Sequence, residues 1–287
     1  MGTGSVGVGL RQSGRRQAGR HHAGWRRAGR HRAEWRRVGA ELVGTALLAG
    51  VVVGSTDKAV ALGRDPATVL LATSLATSSA LGVLILLFAP VSGGHLNPVV
   101  TLTVRGLSAR SRAVRLLAQL LGATVGAVLA EAMFGRPLLA ATGAHLGGAG
   151  TLLGEVVGTA GLILVVQGLD RTGRDRMIPL AVAAYIAAGI WSTSSGAFAN
   201  PAVTVARSLT GGPSGLAPAS LPAFLAAQLL GAALGGGVAA LIFRPPPETS
   251  EGVPSGGPSG GRSEVPREAS PHVPPEVPPA IGVDACA

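Results

Sequence analysis

The chain has 287 residues and a formal net charge of +10, yet only 13% of its residues are charged against 47% hydrophobic, and its mean hydropathy is +0.44. That balance excludes an ordinary soluble domain and points to a polytopic membrane protein. Ten arginines lie between Arg11 and Arg37, so the basic excess belongs to an arm and nucleic acid is not expected as a partner; the single Cys286 can close no disulfide within the chain.

Residues 1–37 are rich in Gly, Arg and His, with Trp25-Arg26-Arg27 echoed at Trp35-Arg36-Arg37. They lack the uninterrupted apolar centre of a signal peptide. Two readings stand: a disordered cytoplasmic arm that sets topology, or an arm that binds anionic lipid, each basic side chain near the surface contributing about 1 kcal/mol.

Six spanning helices follow, at roughly 38–56, 67–89, 113–133, 151–169, 177–194 and 222–243. Each approaches the ~20 apolar residues needed to cross a hydrocarbon core of about 30 Å. Their abundant Gly and Ala allow close backbone approach between helices. Arg105, Arg110, Arg112 and Arg115, then Arg171, Arg174 and Arg176, mark one side as cytoplasmic, and both termini fall on that side. From Arg244 onward the chain is dense in Pro, Gly, Ser and Glu, and 244–287 reads as a disordered cytoplasmic tail.

The body, 38–243, repeats itself as about 38–133 and 151–243. Ala40-Glu41-Leu42-Val43-Gly44-Thr45 matches Gly154-Glu155-Val156-Val157-Gly158-Thr159, and Ala118-Gln119-Leu120-Leu121-Gly122-Ala123 matches Ala227-Gln228-Leu229-Leu230-Gly231-Ala232. Three spans per half is an odd number, so the second half enters the membrane inverted, with the functional site near the midplane.

Each half also holds one short signature: Ser92-Gly93-Gly94-His95-Leu96-Asn97-Pro98-Val99-Val100-Thr101 and Ser195-Gly196-Ala197-Phe198-Ala199-Asn200-Pro201-Ala202-Val203-Thr204. Asparagine is a good N-cap and proline is tolerated at the first helical position, so each signature opens a short helix, about 97–106 and about 200–209. Too short to span, these are expected as re-entrant half-helices buried in protein. Their N-termini, each carrying roughly half a positive charge, would meet at the midplane and repel cations and protons. Neutral hydroxylated solutes would accept hydrogen bonds from Asn97 and Asn200 in passing.

Both signatures resemble those of the aquaporin and aquaglyceroporin (major intrinsic protein) family. The first departs from the family's Asn-Pro-Ala at Val99, the second keeps Ala202, and the arginine that usually follows is Val203 here. The stretch Phe198-Ala199-Asn200-Pro201-Ala202-Val203-Thr204-Val205-Ala206-Arg207 also resembles bacterial members associated with arsenic metabolism.

The resemblance implies an all-α fold of six transmembrane helices plus two re-entrant half-helices in a 3+3 inverted repeat. It further implies a homotetramer with one pore per subunit, multi-pass in the cell membrane. Glu41 and Glu155 would accept hydrogen bonds from the re-entrant loops, supported by Gln119 and Gln228, the other reading being a proton relay. His95 would position its loop; it has no His or Cys neighbour that would make it a metal ligand, and no cofactor is expected.

By the same resemblance four positions form an outer constriction: Thr77, twenty before Asn97; Ala188, twelve before Asn200; Ala197, three before it; and Val203, three after. Water-selective members place an aromatic, a histidine and an arginine there. The small, uncharged set here implies a wider pore lined also by Val99, Ala202, His95 and Phe198, passing glycerol, arsenous acid and related neutral solutes as well as water. Arg207 could supply a guanidinium from one turn further along, or could bind a lipid headgroup or a carbonyl. A water-selective pore and an inverted-repeat secondary transporter are the alternatives, separable by solute flux and by sodium or pH coupling. An enzyme is not expected, since no nucleophile, base and orienting residue stand together.

Overall fold

The computed structural model describes the backbone over residues 9–63 and 65–243 and the side chains from Ala33 onward. The described residues form α1 (Gly9–Ala61), α2 (Pro66–Ser92), α3 (Pro98–Thr103), α4 (Ala109–Met133), α5 (Ala149–Arg171), α6 (Ile178–Ser192), α7 (Pro201–Ser208) and α8 (Leu221–Ile242). Among them no strand occurs. The fold is all-α, with α1, α2 and α4 corresponding to α5, α6 and α8, and with α3 and α7 as the two short helices.

Among the described residues five stretches are long and apolar enough to cross a membrane: Ala33–Ala61, Pro66–Ser92, Ala109–Met133, Ala149–Arg171 and Pro218–Ile242. The remaining predicted span is α6, whose 15 residues give only about 22 Å of helix at 1.5 Å per residue. A short 3-10 turn, Asp175–Met177, extends it at one end.

Two features differ from the sequence expectation. The first helix starts at Gly9, so helical backbone runs through most of the basic arm instead of beginning near residue 38. Arginine, alanine and glutamine are good helix formers and no proline interrupts them. Residues 1–8 of that arm, and the whole tail 244–287, lie outside the described residues. The short helices also end early: α3 stops at Thr103, where Val104 turns extended at φ −69°, ψ 135°, and α7 stops at Ser208.

The repeats are built on two close helix pairs, α1 on α4 and α5 on α8. A Cβ added to Gly122 or Gly126 would sit on the Leu42 or Ala46 carbonyl, and one added to Gly231 or Gly235 on the Val156 or Ala160 carbonyl. The same small-residue spacing thus brings backbones together in both halves, which is how helices associate tightly in lipid. Outward, Leu86, Leu117, Leu121, Leu153, Leu180 and Leu241 remain exposed.

At the end of the bundle that carries the α1–α2 turn, Asp57 of α1 and Glu131 of α4 are fully buried. The Arg136 Nε lies 3.2 Å from Asp57 Oδ1. A Cβ on Gly212 would come within 2.8 Å of Glu131 Oε1 and 3.0 Å of Asp57 Oδ1. The loop after α7 therefore rests directly on this charged cluster.

At the opposite end, Arg115 is buried and donates from Nη1 to the Ser92 carbonyl at 2.6 Å. It is thus a clasp on the C-terminus of α2, not a free charge of the turn. Arg112 similarly donates to Val104 O at 3.1 Å.

Candidate functional site

The two short helices begin at Asn97 and Asn200, and both caps form as the sequence requires. Asn97 Oδ1 accepts from Val99 N at 3.1 Å, and Asn200 Oδ1 accepts from Ala202 N at 3.1 Å. With the oxygens spent on capping, the amide nitrogens turn to the other repeat. Asn97 Nδ2 donates to the Ala199 carbonyl at 2.8 Å, and Asn200 Nδ2 donates to the Leu96 carbonyl at 2.9 Å.

Those two carbonyls are presented by residues in a costly conformation. Leu96 has φ +48° and Ala199 φ +46°, with Ala197 at φ +42°, a region that side chains other than glycine adopt at about 1–3 kcal/mol each. The surroundings hold them there. Glu41 Oε1 accepts from Ser92 Oγ at 2.6 Å and His95 N at 3.1 Å, while Oε2 accepts from Leu96 N at 2.8 Å and Gln119 Nε2 at 2.7 Å.

In the second half, Glu155 Oε1 accepts from Phe198 N at 2.8 Å, and Oε2 accepts from Ala199 N at 3.1 Å and Gln228 Nε2 at 2.6 Å. Gln119 also donates to Thr101 Oγ1 and Gln228 to Thr204 Oγ1, each at 2.8 Å. Each glutamate is therefore a fully buried acceptor that ties a re-entrant loop to two neighbouring spans. With their oxygens engaged by fixed backbone amides and glutamine side chains, neither has the open geometry of a proton relay.

A cavity of about 520 Å³ runs past both asparagines. Its wall includes Gly93, Gly94 and His95 on one side of the pair, and Ser195, Gly196, Ala197 and Phe198 on the other. The α6 contribution is Ile178, Val182, Ile186 and Ile190, and α5 adds Leu162 and Val166. The interior is thus mostly hydrocarbon, interrupted by a few aimed donors and carbonyls. Such a passage gives a neutral solute hydrogen bonds without replacing an ion's full hydration shell.

Of the residues expected at the site, Asn97, Asn200, Thr77, Ala197, Val203, His95 and Phe198 lie on this wall. His95 is half-buried, with Nδ1 3.1 Å from Thr101 Oγ1. Among the described residues no group of three His, Cys, Asp or Glu could hold a metal ion.

Three residues are misplaced by the sequence expectation. Ala188 is exposed on the outer face of α6 and absent from the cavity wall. Counting twelve back from Asn200 ignores the helix face, and the inward stripe is Val182, Ile186 and Ile190 at four-residue intervals. Val99 and Ala202 are completely buried beside their caps and do not reach the cavity. Their amides serve Asn97 and Asn200, while their side chains pack in the core.

The branched residues Val182, Ile186 and Ile190 could have been found from sequence, because they are the β-branched stripe of an otherwise alanine-rich helix. Arg207 is also on the wall. Its Nε donates to the Ser214 carbonyl at 2.5 Å and its Cζ lies 3.6 Å from the Phe198 ring centroid. A carbonyl partner and a place in the passage, weighed against each other from sequence, are here found together.

The family model described as Major intrinsic protein matches residues 28–194. Over 196 residues the chain is 41% identical to "Aquaglyceroporin AqpS" of Rhizobium meliloti, covering 67% of this chain and 84% of that one. It is 36% identical over 191 residues to "Aquaporin TIP4-4" of Zea mays, covering 60% of this chain and 74% of the relative. It is also 33% identical over 141 residues to an "Aquaglyceroporin" of Toxoplasma gondii, covering 46% and 52% respectively.

Proposed function

Because this chain belongs to the major intrinsic protein family, and so forms a membrane channel for water and small solutes such as glycerol, we propose that its pore is a wide one that also passes arsenous acid and similar neutral hydroxides. The observation that supports this is the set Thr77, Ala197 and Val203 on the cavity wall, small, uncharged side chains that fill less of a passage than an aromatic, a histidine or an arginine would. Arsenous acid is uncharged near neutral pH and has a polyol-like outline, so a bore that admits glycerol accommodates it. The paired donors Asn97 and Asn200 supply hydrogen bonds at the narrow centre, and the two helix N-termini repel cations there. Solute moves down its gradient without a coupling ion.

The chain works as a homotetramer in the cell membrane with both termini in the cytoplasm. The exposed leucines on the bundle's outer face support burial against lipid and neighbouring copies. Arg105, Arg110, Arg112, Arg174 and Arg176 gather at the end opposite the α1–α2 turn, supporting that orientation.

The test is stopped-flow light scattering on proteoliposomes challenged with sucrose, glycerol or arsenous acid and compared with empty liposomes. Protein-dependent shrinkage in sucrose, followed by reswelling in both other solutes, is expected. Shrinkage without reswelling would mean a water-selective pore, and saturable, sodium-dependent flux would mean a carrier.

A further inference from the structure

We propose that Arg207, rather than any residue of the constriction expected from sequence, is the charge-selecting and solute-orienting group of this pore. The inference rests on the channel reading above and adds to it a specificity-determining residue. Val203 and Arg207 are four residues apart on α7, hence on one face and about 6 Å apart along the axis. Since α7 runs away from Asn200 at the centre, Arg207 stands toward the mouth, one turn beyond Val203. Both line the cavity.

The guanidinium is held from two sides. Its plane lies over Phe198, 3.6 Å from the ring centroid. Phe198 is itself braced by the fully buried Phe224 of α8, ring centroids 5.2 Å apart at 58°. Nε is fixed by the Ser214 carbonyl at 2.5 Å. Phe224, Phe198 and Arg207 therefore form a stack that ends in the pore wall. This geometry suits arginine, whose flat, weakly hydrated cation packs on a ring while its edge still donates.

No carboxylate among the described residues lies within ion-pair distance of the group. The ion pairs among the described residues are Arg37 with Glu34 and Arg136 with Asp57. The Glu155 carboxylate is already engaged by the Phe198 and Ala199 amides and by Gln228. Arg207 makes no hydrogen bond from Nη1 or Nη2 to a described residue, which leaves the end of the fork as donors toward the passage. An unpaired positive charge in a low-dielectric wall raises the barrier to cations along the whole turn. Its two free NH₂ groups orient a neutral hydroxylated solute before it reaches Val203. Loss of charge at Val203 is thus offset one turn outward, where the bore is not narrowed.

The experiment compares the wild type with Arg207→Met, Arg207→Lys and Arg207→Gln in proteoliposomes, reading glycerol reswelling and sodium entry with an entrapped dye. Size-exclusion elution checks assembly. Arg207→Met is expected to lower glycerol reswelling several-fold, since the orienting donors are lost, while sodium entry rises roughly tenfold or more. Arg207→Lys is expected to remain sodium-tight, because it restores charge without the stacked fork or the clasp on Ser214. A sodium-tight Arg207→Met, or Arg207→Lys as leaky as Arg207→Met, would overturn the proposal, the latter by reducing Arg207 to a loop clasp. Should Arg207→Met fail to assemble, Arg207→Gln, which keeps polar donors without the charge, decides: sodium entry above wild type supports the assignment, and wild-type tightness overturns it. A wild type without glycerol flux would instead defeat the wide-pore reading, independently of these ratios.

Discussion

Asn97 of the first repeat donates its side-chain amide to the main-chain carbonyl of Ala199 in the second, at 2.8 Å. The reciprocal bond from Asn200 to Leu96 closes a two-way latch at the centre of the passage. Each asparagine thereby performs three tasks with one amide group. The oxygen caps its helix, one N–H fixes the opposite loop, and the other N–H remains for solute.

Replacing Asn97 by aspartate tests that division of labour. Aspartate caps as well as asparagine, but it has no N–H for the Ala199 carbonyl and would face it with a second acceptor. Asn97→Asp is therefore expected to lose most glycerol and water flux and to assemble less well. Near-normal flux from a well-assembled Asn97→Asp channel would show that the latch is dispensable. The readouts are proteoliposome swelling and elution volume.

Glu41 accepts from four donors in the buried loop. Glu41→Gln keeps the shape but turns an NH₂ toward donors that need an acceptor. Leaving buried amides without partners costs about 1–3 kcal/mol each, so the variant should unfold at a clearly lower temperature in detergent. A proton-relay role would instead leave stability unchanged and alter proton flux. Thermal unfolding followed by size exclusion separates these outcomes.

Gly126 of α4 and Gly39 of α1 make a controlled pair. A Cβ at Gly126 would sit on the Ala46 carbonyl, whereas one at Gly39 meets nothing within 4 Å. Gly126→Leu must drive α4 off α1, and overpacking typically costs about 1–3 kcal/mol or more. It should give little assembled protein, while Gly39→Ala should match the wild type in yield. Equal yields would argue that the two helices can separate without loss.

Asp65 caps α2, its carboxylate accepting from Ala67 N, Thr68 N and Thr68 Oγ1. These bonds, that from the Thr68 hydroxyl first, hold its carboxyl below the usual carboxylate range. With the folded value below the unfolded one, the cap's contribution is complete above the ordinary carboxylate pKa and is lost as pH falls through the folded value. Hydrogen exchange at the first turn of α2 should therefore be protected near neutral pH. Relative to Asp65→Ala, that protection should fade in strongly acidic solution, and a constant difference between the two proteins across pH would count against the cap.

Much of the site was legible because its chemistry is local. An Asn-Pro pair states its own cap, and Glu41 with Gln119 and Glu155 with Gln228 repeat in register in the two halves. What sequence left hidden depends on direction. Ala188 sits at a plausible interval but on the exposed side of α6, and Val99 belongs to the signature yet points into the core. Arg207 shows the same limit from the other side. Its ring partner Phe198 and carbonyl partner Ser214 lie in separate loops, and only their packing turns it into the passage.

Val203→Arg gives the sharpest test of the bore. Position 203 lines the cavity, one turn from the existing guanidinium of Arg207, so the new side chain would both fill space and place two cations about 6 Å apart along the helix. Arginine adds several heavy atoms beyond valine at a point where Thr77 and Ala197 offer little to displace. Glycerol and arsenous acid need the full width, whereas water does not. Solute reswelling should therefore fall by about tenfold or more, the effect of roughly 1.4 kcal/mol of added barrier, while osmotic shrinkage in sucrose falls far less. Repulsion from Arg207 would push the inserted group inward and deepen this difference, so Val203→Arg combined with Arg207→Met should recover part of the solute flux. Equal losses of water and solute in an assembled Val203→Arg channel would place the narrowest point elsewhere, along the Val182, Ile186 and Ile190 stripe.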